Sequence, residues 1–403
     1  MLKDLMFAGM HAALSYITPG SNANAKALYQ DLGDFCKGVC HPLDERIHEL
    51  RDANIGWVRF DINGRPLDET GNETPGYRAF KERARLYRDA GYRIMAVTPF
   101  PQEYSQLPFS PTSPEYREKI IGDIRYLAAD LQELVSVFQI ANEMQVEHFR
   151  FPLSVEESID FLGIQLEALS DTKGRIKVGF NLQDFSMVSY LRKMRPYIQY
   201  CDYIGLDLYL GCFETMTKDL YWYDFILRFI WHYTKKPVWV AEFGYMGAGV
   251  PKTDTQKQAI LQSYGADSEA EASANIRNFV RQLPPQFRDH LLHRVEHKTD
   301  EELAHKLFHT ELRNHLYREL PSDVRLRHYA HTREDQARFI TDTIRRFRRL
   351  PFVCGAFVYC YSDSPECFIC GQSDCPVETG WGLVDVKGQR KPAWYAVRDA
   401  FRE

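Results

Sequence analysis

An α/β fold, a (β/α)8 or TIM barrel closed by eight parallel strands, is what this 403-residue chain predicts, on three observations. Short β-branched or aromatic runs alternate with longer amphipathic stretches, the pattern of repeated βα units. There are eight such runs, at residues 5–11, 56–61, 93–98, 135–141, 176–181, 203–209, 238–243 and 353–361. A hydrophobic share of 44% supports a core large enough for a barrel, a fold that often exceeds the usual size of one domain.

Helical stretches fall between the runs near 43–53, 77–90, 114–134, 154–169, 187–198 and 220–233. In the third, Ile120, Ile121, Ile124, Leu127 and Leu131 recur close to the 3.6-residue period, behind Ser113 as cap and Pro114 in the first turn. The competing architecture is an open doubly wound sheet. A dinucleotide-binding version would carry a Gly-rich fingerprint after its first strand, and GMHAALSYITPG does not match it. The rhythm breaks once. Roughly 110 residues separate the seventh run from the eighth, where one βα unit takes roughly 30–40. The chain therefore divides into a barrel domain, residues 1–251 and 331–403, and an inserted, mainly helical subdomain at 252–330.

The insertion carries His290, His293, His297, His305, His309, His315 and His328, seven of the 13 histidines. His293/His297 and His305/His309 would each share a helix face. No Glu or Cys arrangement fixes a third ligand there, so a solvated basic face is the expectation. The barrel helix resumes at 331–348, where Thr332 and Asp335 form a loose capping box.

A net charge of -5 and a pI near 6.2 point to neither nucleic-acid nor membrane-surface binding. The start, MLKDLMFAGMHAALSY, lacks the apolar core and cleavage site of a secretory signal, and no run is long enough to span a membrane. Cytoplasmic location is the expectation. Nine cysteines, an odd number, argue against a fully paired disulfide framework; Cys201, Cys354 and Cys360 sit in strand-like contexts suited to buried free thiols.

Two runs concentrate the functional signal: VFQIANEMQ around Glu143 and PVWVAEFGY around Glu242. Each is an apolar strand ending in a carboxylate, a residue type rarely buried without a reason. They lie 99 residues apart, at the C-terminal ends of the fourth and seventh strands, where a barrel gathers its active site. Two carboxyl groups facing each other across a pocket are what glycoside hydrolysis requires. Arg59, inside the apolar WVRFD, needs a partner, since an unpaired buried charge is costly. Nearby Asp61 is the local alternative. Asn181 and His11 are placed to reach the mouth, Trp381 to offer a sugar platform, and Phe100, Tyr104 and Phe213 to line further subsites. Trp57 and Trp239 are expected to face the helix layer.

The pair NE at strand four and V-x-E-F at strand seven resembles the retaining (β/α)8 glycoside hydrolases of clan A, over most of 1–250 and 350–403. The closing WGLVDVKGQRKPAWYAVRDAF resembles the last unit of that clan. No family within it is singled out. The resemblance implies Glu143 as general acid/base and Glu242 as nucleophile, with Asn142 on the sugar 2-hydroxyl. It also implies Arg59 and Tyr209 as partners of the nucleophile. Two positions depart from the clan pattern: Tyr359 stands where the stacking residue is usually Trp, and Asp207 where His or Asn is common.

The implied reaction is hydrolysis of a β-glycosidic bond in a β-linked oligosaccharide or glycoside, with no cofactor required. The alternatives are a transglycosylase of the same clan and a silent carbohydrate-binding barrel. The loop CFICGQSDC allows a structural zinc at Cys367, Cys370 and Cys375, with Cys212 or Cys36/Cys40 as a further ligand; free thiols or one disulfide are the other reading. The insertion is expected to serve homo-oligomer contacts or to cover the cleft.

Overall fold

The computed structural model describes residue 10 and residues 32–172, 174–183, 187–213, 217–292, 299–310, 312–320 and 324–403. Eight parallel strands close into a barrel in sequence order. They are β1 (Cys36–Cys40), β2 (Trp57–Asp61), β3 (Arg93–Val97), β4 (Val137–Gln139), β5 (Lys177–Gln183), β6 (Tyr203–Leu208), β7 (Val238–Phe243) and β8 (Val353–Val358).

Seven of the eight match the runs read from the sequence. The first does not. Residues 5–9 and 11, and with them His11, lie outside the described residues, and β1 is CKGVC, which closes the barrel against β2 and β8. A strand with Lys and Gly in its middle has poor intrinsic β-propensity. Packing explains it: a Cβ on Gly38 would lie 2.3 Å from the Phe357 ring, so only glycine lets β1 approach β8's large side chain.

The helices begin where caps predict. Thr74 accepts from the Tyr77 N–H and Ser113 from the Tyr116 N–H, each at 3.2 Å and each followed by a first-turn proline. Ser154 and Glu157 form a reciprocal capping box, and Thr332 caps the helix Arg333–Arg348 by accepting from Asp335 N–H. The stretch read as one helix at 43–53 is instead a 3-10 turn, Asp44–Arg46, and a short helix, Glu49–Asp52.

Trp57 and Trp239 do not face the helices. They meet edge-on inside the barrel, ring centres 5.4 Å apart, in a plug with Met95, Val137, Tyr203 and Phe357. Side chains two apart share a strand face. The lumen therefore continues upward from Trp57 to Arg59 and Asp61, from Tyr203 to Asp207 and Tyr209, and from Phe357 to Tyr359. Strand β7 breaks this parity. With Trp239 inward, strict alternation would turn Glu242 toward the helices. A β-bulge shifts the register, pairing Val240 with Leu206 but Glu242 with Asp207. One extra residue re-aims the glutamate into the mouth.

Between β7 and the helix Arg333–Arg348 the chain forms further helices, including Ile276–Gln282, Pro285–Leu292, Asp300–Phe308 and Leu312–Tyr317. They bury Ile276, Phe279, Leu303 and Leu307 continuously with the main core. His305 and His309 are exposed, as a solvated face requires, and His293 and His297 lie outside the described residues. His315 departs from that expectation: it is buried. Among the described residues no helix is long and apolar enough to cross a membrane.

Candidate active site

A cavity of about 600 Å³ occupies the C-terminal mouth of the barrel, and both Glu143 and Glu242 line it. Glu242, at the end of β7, is gripped from two sides. Arg59 Nη1 donates to its Oε1 at 2.6 Å, and the Tyr209 hydroxyl donates to Oε2. Arg59 thus spans the barrel to Glu242 rather than pairing locally with Asp61. Its fork is fully used: Nε donates to Gln139 Oε1 at 3.0 Å and Nη2 to Asn142 Oδ1 at 2.7 Å. Although burial opposes its charge, the neighbouring Glu242 carboxylate leads the interactions that hold it firmly protonated.

After β4 the backbone turns sharply. Ala141 and Glu143 both adopt left-handed conformations, at φ 51° and 42°, which non-glycine residues rarely take. Asn181, on β5, holds this turn by accepting from the Glu143 N–H at 2.9 Å. Its Nδ2 donates to Asn142 Oδ1 at 2.6 Å and to Asp207. Gln139 Nε2 is a further donor to Asn142 Oδ1, at 2.9 Å. With Oδ1 taken by three donors, Nδ2 is the group Asn142 has left to offer a ligand.

Asp207 is fully buried beneath the pair and hydrogen-bonds Glu143. Two carboxyl groups can bond only by sharing a proton. Burial, then the charges of Glu242 and Glu143, push Asp207 well above the usual carboxylate range, against the pull of Arg59. Unfolded aspartate titrates near ~3.9. Above that value the native state keeps a proton the unfolded chain has lost, so stability falls as pH rises toward the folded pKa. Asp207→Asn retains an oxygen to accept from Asn181 and a donor toward Glu143. It is expected to flatten the loss of stability between about pH 5 and pH 8. Urea midpoints across that range check this, and a slope equal to the parent's refutes it.

The remaining predicted residues divide cleanly. Tyr359 and Trp381 line the cavity and meet edge-on at 5.7 Å, and Tyr209 packs against both. Trp381 is almost wholly buried and anchored by its indole N–H on the Val377 carbonyl at 2.7 Å, so it serves as a wall more than an open platform. Phe100 and Phe213 line the cavity; Tyr104 does not, and packs in the core against Tyr116 and Phe161. Asn181 and Asp207 lie one layer beneath the lining.

His41, Glu378 and His290 are among the lining residues that escaped the sequence reading. His41 follows β1 and meets Tyr359 edge-on at 5.7 Å. Finding it required placing the first strand at CKGVC. Glu378 lies in the rim loop after β8, where burial, followed by the charges of Cys367 and Glu242, raises its carboxyl well above the ordinary range. His290, on the helix Pro285–Leu292, is pushed down to about 4, chiefly by burial and then by Lys306. No motif marks the last two.

On the same rim, His315, Cys367, Cys370 and Cys375 form a buried cluster whose ligand atoms all lie within 4.8 Å of one another, a set that could hold a metal ion. Cys212, Cys36 and Cys40, expected as a further ligand, are not part of it; His315 takes that place. All nine cysteines are free thiols.

A scan against protein-family models finds no match, and a sequence search of curated proteins finds none. Solved structures do match in fold. A GH53 catalytic domain from Ignisphaera aggregans is 17% identical, with 94% of each chain covered and a TM-score of 0.50. A family 39 glycoside hydrolase from the gut symbiont Bacteroides cellulosilyticus is 13% identical over 92% of this chain and 64% of its own, with a TM-score of 0.54. A beta-glucuronidase from Bacteroides uniformis is 13% identical over 91% of this chain and 35% of its own, at 0.51. At these identities the likeness is one of fold.

Proposed function

We propose that this chain is a glycoside hydrolase that cleaves β-glycosidic bonds with retention, Glu143 serving as acid/base and Glu242 as nucleophile. One observation carries the reading: two carboxyl groups share a pocket but occupy opposite electrostatic surroundings. Glu242 lies between a buried guanidinium and a phenol, both of which donate to its oxygens. Glu143 lies against a second carboxyl that forces a proton into the pair. A carboxyl that shares a proton with its neighbour suits the role of acid, and a carboxylate held in place by two donors suits that of nucleophile.

In the first step Glu143 gives its proton to the glycosidic oxygen while a Glu242 oxygen bonds to the anomeric carbon and the aglycone leaves. In the second, Glu143 draws a proton from water, which attacks the same carbon and releases Glu242. Tyr209 and Arg59 can follow the shift of charge on Glu242 without moving. Asn142 Nδ2 is the donor available to the 2-hydroxyl, a contact that strengthens as charge develops on the ring. Tyr359, Trp381 and Phe213 supply apolar faces for sugar. The glycoside hydrolases among the fold neighbours support the same reaction class. This chemistry needs no cofactor. We assign the helical insertion, residues 252–330, to covering the cleft, because His290, Lys306 and Leu312 from it line the cavity.

A panel of aryl β-D-glycosides (gluco, galacto, manno, xylo and glucuronic) tests the reading. At least one is expected to turn over, with the β-hemiacetal appearing first by NMR. Initial release of the α-anomer would overturn retention, and glycosyl transfer exceeding hydrolysis at low acceptor concentration would favour the transglycosylase.

A further inference from the structure

We propose that His315, Cys367, Cys370 and Cys375 bind one zinc ion, which clamps the helical insertion to the β8 rim loop and so fixes one wall of the cavity. The zinc half of this stands on its own; the effect on substrate rests on the glycosidase reading.

The four ligand atoms all lie within 4.8 Å of one another, close enough for one ion to bond them all. Zinc–sulfur bonds of about 2.3 Å and zinc–nitrogen bonds of about 2.05 Å put neighbouring ligands near ~3.8 Å (S···S) and ~3.6 Å (S···N). His315 Nδ1 lies 3.3 Å from Cys367 Sγ and 3.8 Å from Cys375 Sγ. The loop is a knuckle. In C-F-I-C-G the Cys370 N–H points at Cys367 Sγ at 3.4 Å, the Gly371 N–H returns to the Cys367 carbonyl at 2.7 Å, and Gly371 takes a left-handed φ of 68°. Three buried sulfurs and one imidazole nitrogen converge here out of water, which gives a cation four ligand atoms from a single pocket of protein. Four protein ligands leave no open position, which marks a structural ion rather than a catalytic one. Soft sulfur donors with one imidazole favour zinc over magnesium or calcium.

The ligands come from two places. The cysteines belong to the loop after β8, and His315 to the insertion helix Leu312–Tyr317. The seam between them also carries Gln286 Nε2, which donates to the Cys367 carbonyl at 3.3 Å and to the Phe368 carbonyl at 2.7 Å, and Arg318, which meets Asp374 at 3.2 Å. Both sides of this seam, Leu312 and His315 on one and Phe368 and Ile369 on the other, line the cavity. An ion bonded to both would hold that wall in place.

The full chain, purified under reducing conditions without chelator, is expected to carry about one zinc per molecule by elemental analysis. Cobalt should replace it with the intense visible bands of a tetrahedral thiolate site. Cys367→Ser/Cys375→Ser should bind neither metal. Reduced protein that takes up no zinc when zinc is supplied, or a double variant that keeps it, overturns the proposal. For the wall, stripping zinc from the wild-type chain should raise hydrogen exchange in 285–292 and 312–317, and zinc should restore protection. It should also raise KM about fivefold or more while kcat changes less than about threefold. Unchanged exchange and KM after complete removal overturn the clamp. Metal content and exchange need no substrate, so an inactive protein would defeat the glycosidase reading while leaving this one standing.

Discussion

Glu242→Gly is expected to lower kcat on an aryl β-glycoside by at least ~10⁴-fold, about 5 kcal/mol of barrier. Both oxygens of this carboxylate are engaged, one by Arg59 and one by Tyr209. Its loss removes the attacking atom and leaves two donors aimed at a vacancy beside the anomeric carbon. Azide is small enough to occupy that vacancy, and its charge suits the same donors. With an activated leaving group it should restore turnover and yield the α-glycosyl azide, inverted once. The rescue also certifies the fold, because a collapsed pocket could not position the anion. Retention of more than about a tenth of parental kcat, or a β-azide product, would move the nucleophile elsewhere. A β-azide would implicate the face served by Glu143.

Arg59→Met carries the second large effect, and it falls on stability as well as activity. Arg59 is about 1% exposed and donates to Glu242 on β7 and to Gln139 and Asn142 at the end of β4. Taking away one member of a buried pair costs about 3–5 kcal/mol, because the other charge stays behind unpaired. Glu242→Gln should be destabilising for the mirror-image reason. The double variant should cost clearly less than the sum of the two, since it leaves neither charge stranded. Urea midpoints with a constant m-value measure all three. A single-variant cost under about 1 kcal/mol, or strict additivity, would show that water already screens the pair.

How much of this was legible depends on the residue. β7 is predicted to the residue, and the helix start at Pro114 follows from a Ser-Pro pair whose cap the structure contains. These are local signals, and local physics decides them. CKGVC was not legible as β1, because its place is set by the side chain it must pass, Phe357, more than three hundred residues downstream. Its misplacement hid His41, which is identifiable only as the residue after that strand. Of the site, Glu143, Glu242 and Arg59 could be found because charge inside an apolar run demands a reason. Strand position puts Asn181 and Asp207 at the barrel mouth, where they serve the carboxylates from below, a distinction of depth that sequence spacing does not encode. His315 looked like one histidine of seven; only folding brings it to three cysteines in a separate loop.

The bulge in β7 has a consequence for how this site can change. In a strand, facing is a matter of odd and even, and Glu242 faces the cavity because the count from Trp239 is off by one. Many side chains could stand at Val240 or Ala241 without disturbing that count. A single-residue deletion there would keep every functional group in the gene and still turn the glutamate toward the outer helices. At this strand, function is written in the number of residues as much as in their kind, so divergence should proceed by substitution and almost never by insertion or loss.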